Sequence, residues 1–332
     1  MKILNVSNFS MRWDAFNFWG IPYKLSNGFI RQGHHVINFS DRDIANSFFM
    51  GIRKLGVGPM NAKLIRVCRE VKPDLLLLGH CKQVWEKTVA AIREELPCMR
   101  VAHWNCDTLL NPENLTHLHC MAPLADATFV TTAGEQLGWV SQAGRAAFMP
   151  NPVDSSIESL RVFERNETEN ELVYCTRSDP EKIEIVDLIR KEIPDLKFDC
   201  HGLFGRPEIH GAAMFETLAQ AKMGLNTSRH NNVFLYSSDR MSLLMGNGLL
   251  TFIDARAGFD TLFDDDELVS YDSGEDLIEK IRFFRKNDSE RRRIAERGWK
   301  RAHELFNGTR VAKYIHEVTF GEKLSENYGW PA

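Results

Sequence analysis

The chain has 332 residues, of which 43% are hydrophobic and 26% charged, and its formal net charge is −4. These values are ordinary for a globular protein and exclude a disordered chain, and a net charge without a basic excess argues against a nucleic-acid partner. At roughly 150 residues per domain, the length predicts two domains.

The location follows from the cysteines and the apolar segments. The seven cysteines show no metal-ligand spacing, which predicts reduced thiols. No signal peptide is visible, and the longest apolar run, Leu75–Leu78, is far shorter than the roughly 20 residues of a spanning helix. The sequence predicts a cytoplasmic protein and leaves open a peripheral contact with the inner face of the membrane.

Strands and helices alternate along the first half. Apolar runs predict strands at Ile3–Val6, His35–Phe39, Leu75–Leu78, Arg100–Trp104, Ala127–Thr132 and Ala146–Met149. Helices are predicted between them, at Pro22–Gln32, Met60–Val71, Gln83–Leu96 and Gln136–Ala143. Continuous apolar strands separated by helices indicate a parallel sheet that is covered on both faces.

A proline pair separates the two halves. Pro150-Asn151-Pro152 breaks any regular element and predicts domains over residues 1–152 and 153–332. After it, strands are predicted at Leu172–Cys175, Lys197–Cys200, Met223–Asn226, Leu249–Asp254 and Leu268–Tyr271. The helices there are predicted at Pro180–Ile193, Ala212–Ala221, Ser238–Met245, Glu275–Lys286, Ser289–Phe306 and Thr309–Phe320. The expected fold class is α/β, with two Rossmann-like, doubly wound sheets facing a cleft.

Ligands of open parallel sheets bind outside the carboxyl ends of the strands, so the loops that follow the strands are the candidate sites. After the first strand, Arg12 is a candidate anion ligand, Trp13 a candidate sugar-stacking ring and Asp14 a candidate proton acceptor. The alternative is a surface loop whose tryptophan packs on a neighbouring helix.

A second candidate loop follows the Arg100–Trp104 strand. Asp107 lies at a strand's carboxyl end beside an aromatic residue, which suits a general base acting on an acceptor hydroxyl, with Trp104 on the acceptor side. The alternative is a turn or N-cap aspartate. The nearby His103, His117 and His119 lack metal-ligand spacing and are interpreted as ordinary residues.

Two loops of the second half favour anion binding. Arg177 precedes a predicted helix N-terminus and Lys182 lies one turn beyond it, an arrangement typical of phosphate sites. Capping of that helix by Ser178 or Asp179 is the alternative, and the two are compatible. The later loop provides Arg229, a Ser-Ser-Asp helix start and a small-residue turn, and its candidate residues are Arg229, Ser238, Asp239, Arg240, Gly246 and Gly248.

The run from Tyr236 through Phe320, with DRMSLLMGNGLLTFIDARAGFDTLFDDDELVSYDSGEDLIEKIRFF at its start, resembles the second domain of group 1 glycosyltransferases. It is most similar to the branch of spore-maturation glycosyltransferase-like proteins. The exit from the first half, ADATFVTTAGEQLGWVSQAGRAAFMPNPVD over Ala125–Asp154, resembles the same families.

The resemblance implies the GT-B fold, with a nucleotide-sugar donor held mainly by the second domain and an acceptor by the first. It implies a donor site at Arg177, Arg229, Ser238, Asp239, Arg240, Gly246 and Gly248, with no bound metal and no cofactor beyond the nucleotide sugar. One position departs from the family: Leu243 replaces a glutamate that holds the donor ribose, and Asp239, on the same helix face, is the candidate substitute.

The sequence is therefore interpreted as a glycosyltransferase that moves a sugar to a hydroxyl of a glycan, lipid-linked or protein acceptor. Asp107 is the first candidate base and Asp14 the second. The alternatives are a nucleotide-sugar epimerase or hydrolase on the same fold, and a non-catalytic nucleotide-sugar-binding module, for which Leu243 is the main argument.

Overall fold

The structure, a computed structural model, describes residues 1–48, 52–177 and 179–331. The chain divides into two compact units. Unit 1 comprises Met1–Pro152 together with Gly308–Ala332, and unit 2 comprises Val153–Asn307. Each unit is built on its own parallel sheet.

Unit 1 alternates strands and helices from its first residues. Its strands are β1 (Lys2–Ser7), β2 (His35–Ser40), β3 (Leu75–Gly79), β4 (Arg100–Asn105), β5 (Ala127–Val130) and β6 (Ala146–Phe148). Its helices are α1 (Ile21–Arg31), α2 (Asp41–Ser47), α3 (Arg53–Val71), α4 (Glu86–Glu95), α5 (Pro112–Met121), α6 (Glu135–Ser141) and, after unit 2, α12 (Gly308–Phe320).

The sheet of unit 1 has the order β2-β1-β3-β4-β5-β6. Both faces of β1 are covered. Leu4 and Val6 belong to a core cluster that includes Leu64 of α3, while Asn5 points the other way and donates to Pro22 O and Ser26 Oγ of α1. Because β2 and β3 flank β1 on opposite sides, the strand order reverses between β1 and β3, where a doubly wound sheet binds its ligand.

Unit 2 repeats the plan, and its described residues form a sheet of five strands. These are β7 (Asn170–Cys175), β8 (Phe198–His201), β9 (Ala221–Asn226), β10 (Leu250–Asp254) and β11 (Val269–Tyr271). Its helices are α7 (Pro180–Glu192), α8 (Ala212–Ala219), α9 (Arg240–Gly246), α10 (Gly274–Lys286) and α11 (Asp288–Leu305). The sheet order is β11-β10-β9-β7-β8, so the strand order reverses between β7 and β9.

The last helix, α12, belongs to unit 1 although it follows unit 2 in the chain. The sequence prediction placed residues 308–332 in the second domain, whereas the contacts of the structure group Gly308–Ala332 with unit 1. Helix α12 packs on α1 so closely that a Cβ added to Gly28 would lie 2.3 Å from Gly308 O. A glycine at position 28 is what permits this approach of the two helices.

Two parallel, doubly wound sheets confirm the predicted α/β class with two Rossmann-like units. The strands lie where apolar runs predicted them. Two helices of unit 1, α2 and α5, were not predicted. In the part of the chain that the structure describes, no helix combines the length and apolar character that crossing a membrane requires.

Candidate functional site

One arginine joins the strand ends of unit 2 at the place where the strand order reverses, which we call the switch point of the sheet. Arg240, the first residue of α9, donates from Nε to Cys175 O at the end of β7. Its Nη1 donates to Thr227 O at 2.7 Å, just after β9, and its Nη2 donates to Thr176 Oγ1 at 3.2 Å. Its guanidinium also lies 5.4 Å from the centre of the Tyr174 ring. Arg240 therefore brings charge to this edge while several of its donors hold the protein together.

Three further cations lie around the start of α7. Lys182 is half-buried, and its pKa is lowered first by burial and then by the positive charges of Arg240, Arg229 and Arg177, with Asp179 acting in the opposite direction. Because like charges converge on Lys182, a bound anion would relieve their repulsion. The residues predicted separately as Arg177, Lys182, Arg229 and Arg240 thus form one electrostatic group, which we call the cation cluster.

The members of the cation cluster differ in their own partners. The Arg177 side chain is 81% exposed and forms an ion pair with Glu208 at 3.3 Å. Arg229 is exposed, and Arg240 is partly buried. Asp179 caps α7 by accepting the backbone N–H of Glu181 at 3.2 Å. Ser178, the other predicted cap, lies outside the described residues.

A cavity of about 260 Å³ opens beside the cation cluster and shares Lys182 with it. Its wall comes from the start of α7, from the loop after β9 and from the ends of β10 and β11, and includes Thr227, Ser228 and Tyr271. Asp254, at the end of β10, holds Arg256 through two hydrogen bonds of 2.9 and 2.6 Å. Hydroxyls, carboxylates and an aromatic ring beside a cationic edge suit a polar ligand that carries an anionic group.

The predicted start of α9, Ser237-Ser238-Asp239, lies just before the helix, which begins at Arg240. Ser238 donates from Oγ to Asn226 Oδ1 at 3.1 Å and from its backbone N–H to Ser228 Oγ at 3.1 Å. Asp239 occupies the N-cap position without a side-chain capping bond. Leu243 is buried, and because it is a leucine it provides no acidic group on this helix face.

The two glycines after α9 are required by packing. A Cβ on Gly246 would lie 2.9 Å from atoms of Glu158 and Val153. Gly248 has φ +79°, and a Cβ there would lie 2.7 Å from the Phe163 ring. These contacts explain why no side chain fits at either position, and the predicted place of both glycines in the donor site stays a prediction.

The loop after β1 in unit 1 is a short 3₁₀ turn held by an aspartate. Asp43 accepts the backbone N–H groups of Met11 at 2.8 Å and of Arg12 at 3.3 Å. The Arg12 guanidinium donates to Asn46 O, which ties it to the end of α2. Asp14 is exposed and adopts a left-handed backbone with φ 57°. The side chain of Trp13 lies outside what the structure describes.

Asp107, the first candidate base, lies in a charged group at the ends of β3 and β4. Asp107 accepts from Lys82 Nζ at 2.9 Å and lies 3.6 Å from His80 Nε2. Burial lowers the pKa of His80, and Asp107 partly offsets that shift. The nearby Trp104 is only 2% exposed. Its ring occupies the space that a side chain at Gly79 would need, and the acceptor-side role of Trp104 stays a prediction.

Sequence reasoning missed several residues of these edges. His80 and Lys82 follow β3, and Asp254, Arg256 and Tyr271 lie at or just after the ends of β10 and β11. The signal was present, because the same strand-end rule that selected Asp107 applies to the polar segments after LLLLG and LTFI. Pairing of Asp254 with Arg256 and of Asp107 with Lys82 depends on the folded chain.

Comparison with known proteins agrees with this architecture. Residues 177–317 match a family model described as glycosyl transferase-like. Sucrose-phosphate synthase from Thermosynechococcus elongatus superposes with a TM-score of 0.69 at 13% identity, covering 97% of this chain and 98% of that one. The chain has the GT-B fold. The matched residues include the whole cation cluster.

Two other solved structures share the fold. Anabaena HepE, in complex with UDP and glucose, has a TM-score of 0.64 at 15% identity and covers 97% of this chain and 100% of its own. A UDP-N-acetylglucosamine 2-epimerase assigned as putative, from Listeria monocytogenes, has a TM-score of 0.56 at 12% identity and covers 100% and 99%. No curated protein matches the sequence.

Proposed function

We propose that this protein is a glycosyltransferase that takes a sugar from a nucleotide-sugar donor and transfers it to a hydroxyl of a glycan, lipid-linked or protein acceptor. The glycosyl transferase-like match over residues 177–317 supports this class of enzyme. The HepE structure with UDP and glucose supports a nucleotide sugar as the donor. The finer resemblance to the spore-maturation branch stays a prediction from the sequence motifs.

The observation that carries the proposal is the cation cluster beside the cavity of unit 2. A nucleotide sugar joins a polar nucleoside to a diphosphate, and the transferred sugar leaves that diphosphate with additional negative charge. Lys182 lies among three arginines, so a diphosphate there would gain attraction from several fixed cations. Cations placed where negative charge develops stabilise the transition state, so we propose that transfer needs no metal at the donor site.

Within the proposed function, the nucleoside would bind in the cavity, against the hydroxyls of Thr227 and Ser228 and the ring of Tyr271. The cavity of about 260 Å³ has Thr227 and Ser228 next to Lys182 and Tyr271 on its wall. Asp239, which carries no capping bond, is proposed to take over the ribose contact that Leu243 cannot make. A hydrogen bond to a ribose hydroxyl requires only an accepting carboxylate at that position.

The acceptor is proposed to bind unit 1 at the carboxyl ends of its strands. Asp107 remains the first candidate base there, although Lys82 already engages one of its oxygens at 2.9 Å. Asp14, which is exposed in the loop after β1, remains the second. A base must accept the proton of the attacking hydroxyl within hydrogen-bond reach, so substitution of each aspartate by asparagine separates the two candidates.

The test is nucleotide binding by calorimetry with UDP, GDP, CDP and the corresponding glucose conjugates. Lys182→Met should weaken binding of the preferred diphosphate by roughly tenfold, equivalent to about 1.4 kcal/mol. Lys191→Met, an exposed lysine at the far end of the same helix, is the matched control and should bind as the unmodified protein does. Equal affinity in the two variants, or no binding of any diphosphate, would contradict the proposed donor site.

A chelator tests the proposal that the donor site needs no metal. Binding of the nucleoside diphosphate and of its sugar conjugate should be unchanged when EDTA replaces Mg²⁺ in the calorimetry. A requirement for Mg²⁺ at this site would show that the cation cluster does not suffice.

The likeness to the UDP-N-acetylglucosamine 2-epimerase favours a second candidate function, isomerisation of a nucleotide sugar. This reaction needs no acceptor, so incubation with the nucleotide sugar alone distinguishes it: a new sugar resonance with the nucleotide still attached indicates an epimerase. Release of nucleoside diphosphate only when an acceptor is added indicates a transferase. Tight binding with neither result indicates the non-catalytic binding module.

A further inference from the structure

The ends of β3 and β4 in unit 1 bring together three side chains with metal-binding atoms. His80 follows β3, and Cys106 and Asp107 follow β4. One ligand atom of each residue lies within 4.8 Å of the others. We propose that His80, Cys106 and Asp107 bind a zinc ion through imidazole, thiolate and carboxylate, with a fourth coordination position left for solvent or an oxygen ligand. In the zinc-bound protein Asp107 is a ligand, so this role is an alternative to its role as the first candidate base.

The spacing agrees with tetrahedral coordination. Zinc–ligand bonds of about 2.0–2.3 Å place neighbouring ligand atoms roughly 3.3–3.7 Å apart. The distance of 3.6 Å between His80 Nε2 and Asp107 Oδ2 already lies in this range. The Cys106 sulfur lies within 4.8 Å of both atoms, and zinc coordination requires it to approach them to this range.

The backbone that carries the three ligands is held in place. The N–H of His80 donates to Trp104 O at 2.9 Å, which links the end of β3 to β4. Asn105 Oδ1 accepts the N–H of Asp107 at 2.8 Å, and Asn105 Nδ2 donates to Asn114 Oδ1 at 2.9 Å. Ligands on fixed strand ends form a site with little loss of conformational freedom on binding.

The donor set indicates which metal would bind. A mixture of imidazole nitrogen, thiolate sulfur and carboxylate oxygen suits zinc, whereas magnesium and calcium prefer oxygen ligands alone. Three protein ligands with one open position are typical of zinc sites that bind a water molecule or a substrate oxygen.

Lys82 competes for the same carboxylate. Its Nζ donates to Asp107 Oδ2 at 2.9 Å, and its side chain is 38% exposed. A zinc ion bound by Asp107 must displace this ammonium or share the carboxylate with it, and the two positive charges repel. Removing the lysine charge should therefore strengthen zinc binding.

The test is zinc titration of the full chain against a chromogenic chelator, with Co²⁺ as a spectroscopic substitute. One equivalent should bind, and Co²⁺ should show a thiolate charge-transfer band. His80→Gln, Cys106→Ser and Asp107→Asn should each weaken zinc binding at least tenfold, while Lys82→Met should strengthen it several-fold.

Matched controls identify adventitious binding. Cys98→Ser removes an exposed cysteine and His35→Gln an exposed histidine of the same unit, and both should leave the titration unchanged. Circular dichroism confirms that each variant is folded. Equal affinity in Cys106→Ser and Cys98→Ser, or a cobalt spectrum without the thiolate band, would overturn the proposal. Because the readout is metal binding, its failure would leave the nucleotide result unaffected.

Discussion

The two sheets place their candidate sites by the same topological rule but with different chemistry. In unit 2 the strand order reverses between β7 and β9, and the side chains there are those of the cation cluster, three arginines and a lysine. In unit 1 it reverses between β1 and β3, and the groups after β3 and β4 are a histidine, a thiol and a carboxylate with a lysine, Lys82, paired to it. Topology therefore selects the edge at which each candidate site is proposed, and the side chains there decide which class of ligand is proposed for it.

The fastening of the two switch points differs in the same way. In unit 2 a guanidinium bridges the ends of β7 and β9. In unit 1 a neutral hydroxyl does so, because Ser7 Oγ of β1 donates to Gly79 O of β3 at 2.7 Å. A charged bridge both joins the strands and contributes to the field that attracts an anion, whereas a neutral bridge only joins them.

The largest expected effect comes from breaking the charged bridge. Arg240→Leu leaves the carbonyls of Cys175 and Thr227 without their donor, and we expect the free energy of unfolding to fall by about 2–3 kcal/mol. Ser7→Ala removes one neutral hydrogen bond and should cost only about 1 kcal/mol. Urea unfolding measures both.

Arg229→Leu is the control for Arg240→Leu, because Arg229 is an exposed member of the same cluster. It should leave the unfolding midpoint nearly unchanged and weaken diphosphate binding. Equal losses of stability in Arg240→Leu and Arg229→Leu would show that Arg240 does not fasten the strands.

A smaller effect is expected from the buried histidine of unit 1. Burial lowers the pKa of His103 to about 3, against about 6.5 for an unfolded histidine. Between these values the unfolded chain binds more protons, so the free energy of unfolding falls as the pH is lowered through this window. His103→Leu removes this contribution, so its loss of stability between pH 7 and pH 5 should be smaller than that of the unmodified protein.

Other titratable groups also contribute to the pH dependence of stability, so the effect of His103 is measured as the difference between the unmodified protein and the His103→Leu variant. The pKa values of His117 and His80 are also lowered by burial, and they act in the same direction in both proteins. Asp41, whose pKa burial raises to about 6, acts in the opposite direction in both. Identical pH dependence of the two unfolding free energies would show that His103 does not titrate as inferred.

The smallest effect is expected at the exposed rim of the cation cluster. Arg177→Ala breaks an ion pair with Glu208 in which the arginine side chain is 81% exposed, so stability should change by less than about 0.5 kcal/mol. Diphosphate affinity should fall a few-fold and become less sensitive to added salt, because a screened surface charge is lost. An affinity that is unchanged at low salt would exclude Arg177 from the site.

Most of the fold could be predicted from the sequence because its strands are continuous apolar runs. Leu75–Leu78 within β3 and the proline pair at 150–152 needed no tertiary information. Helix α2, DRDIANS, was missed because it is short and mostly polar. Helix α5, PENLTHLHCM, was missed although it starts at Asn111-Pro112 and has apolar residues at Leu115, Leu118 and Met121. The partner of α12 was also missed, since its contact with α1 joins residues that are far apart in the chain.

The sequence predicted which loops form the candidate site but did not predict which contacts their residues make. The strand-end rule selected Arg177, Arg240 and Asp107, and the structure groups the first two around Lys182. It could not show that Arg240 donates to backbone carbonyls, because such acceptors have no sequence signature. Nor could it show that Trp104 lies against Gly79, since a strand's aromatic residue faces the interior or the solvent according to its register.

The return of α12 to unit 1 also determines an order of assembly during synthesis. Helix α1 needs α12 to cover it, yet α12 leaves the ribosome only after every residue of unit 2. Unit 2, a continuous segment, has all its strands available earlier and is free to fold first. Unit 1, although its strands are made first, is therefore complete only when α12 has been made, and a nascent chain that stops before Gly308 would lack the helix that packs on Gly28 of α1.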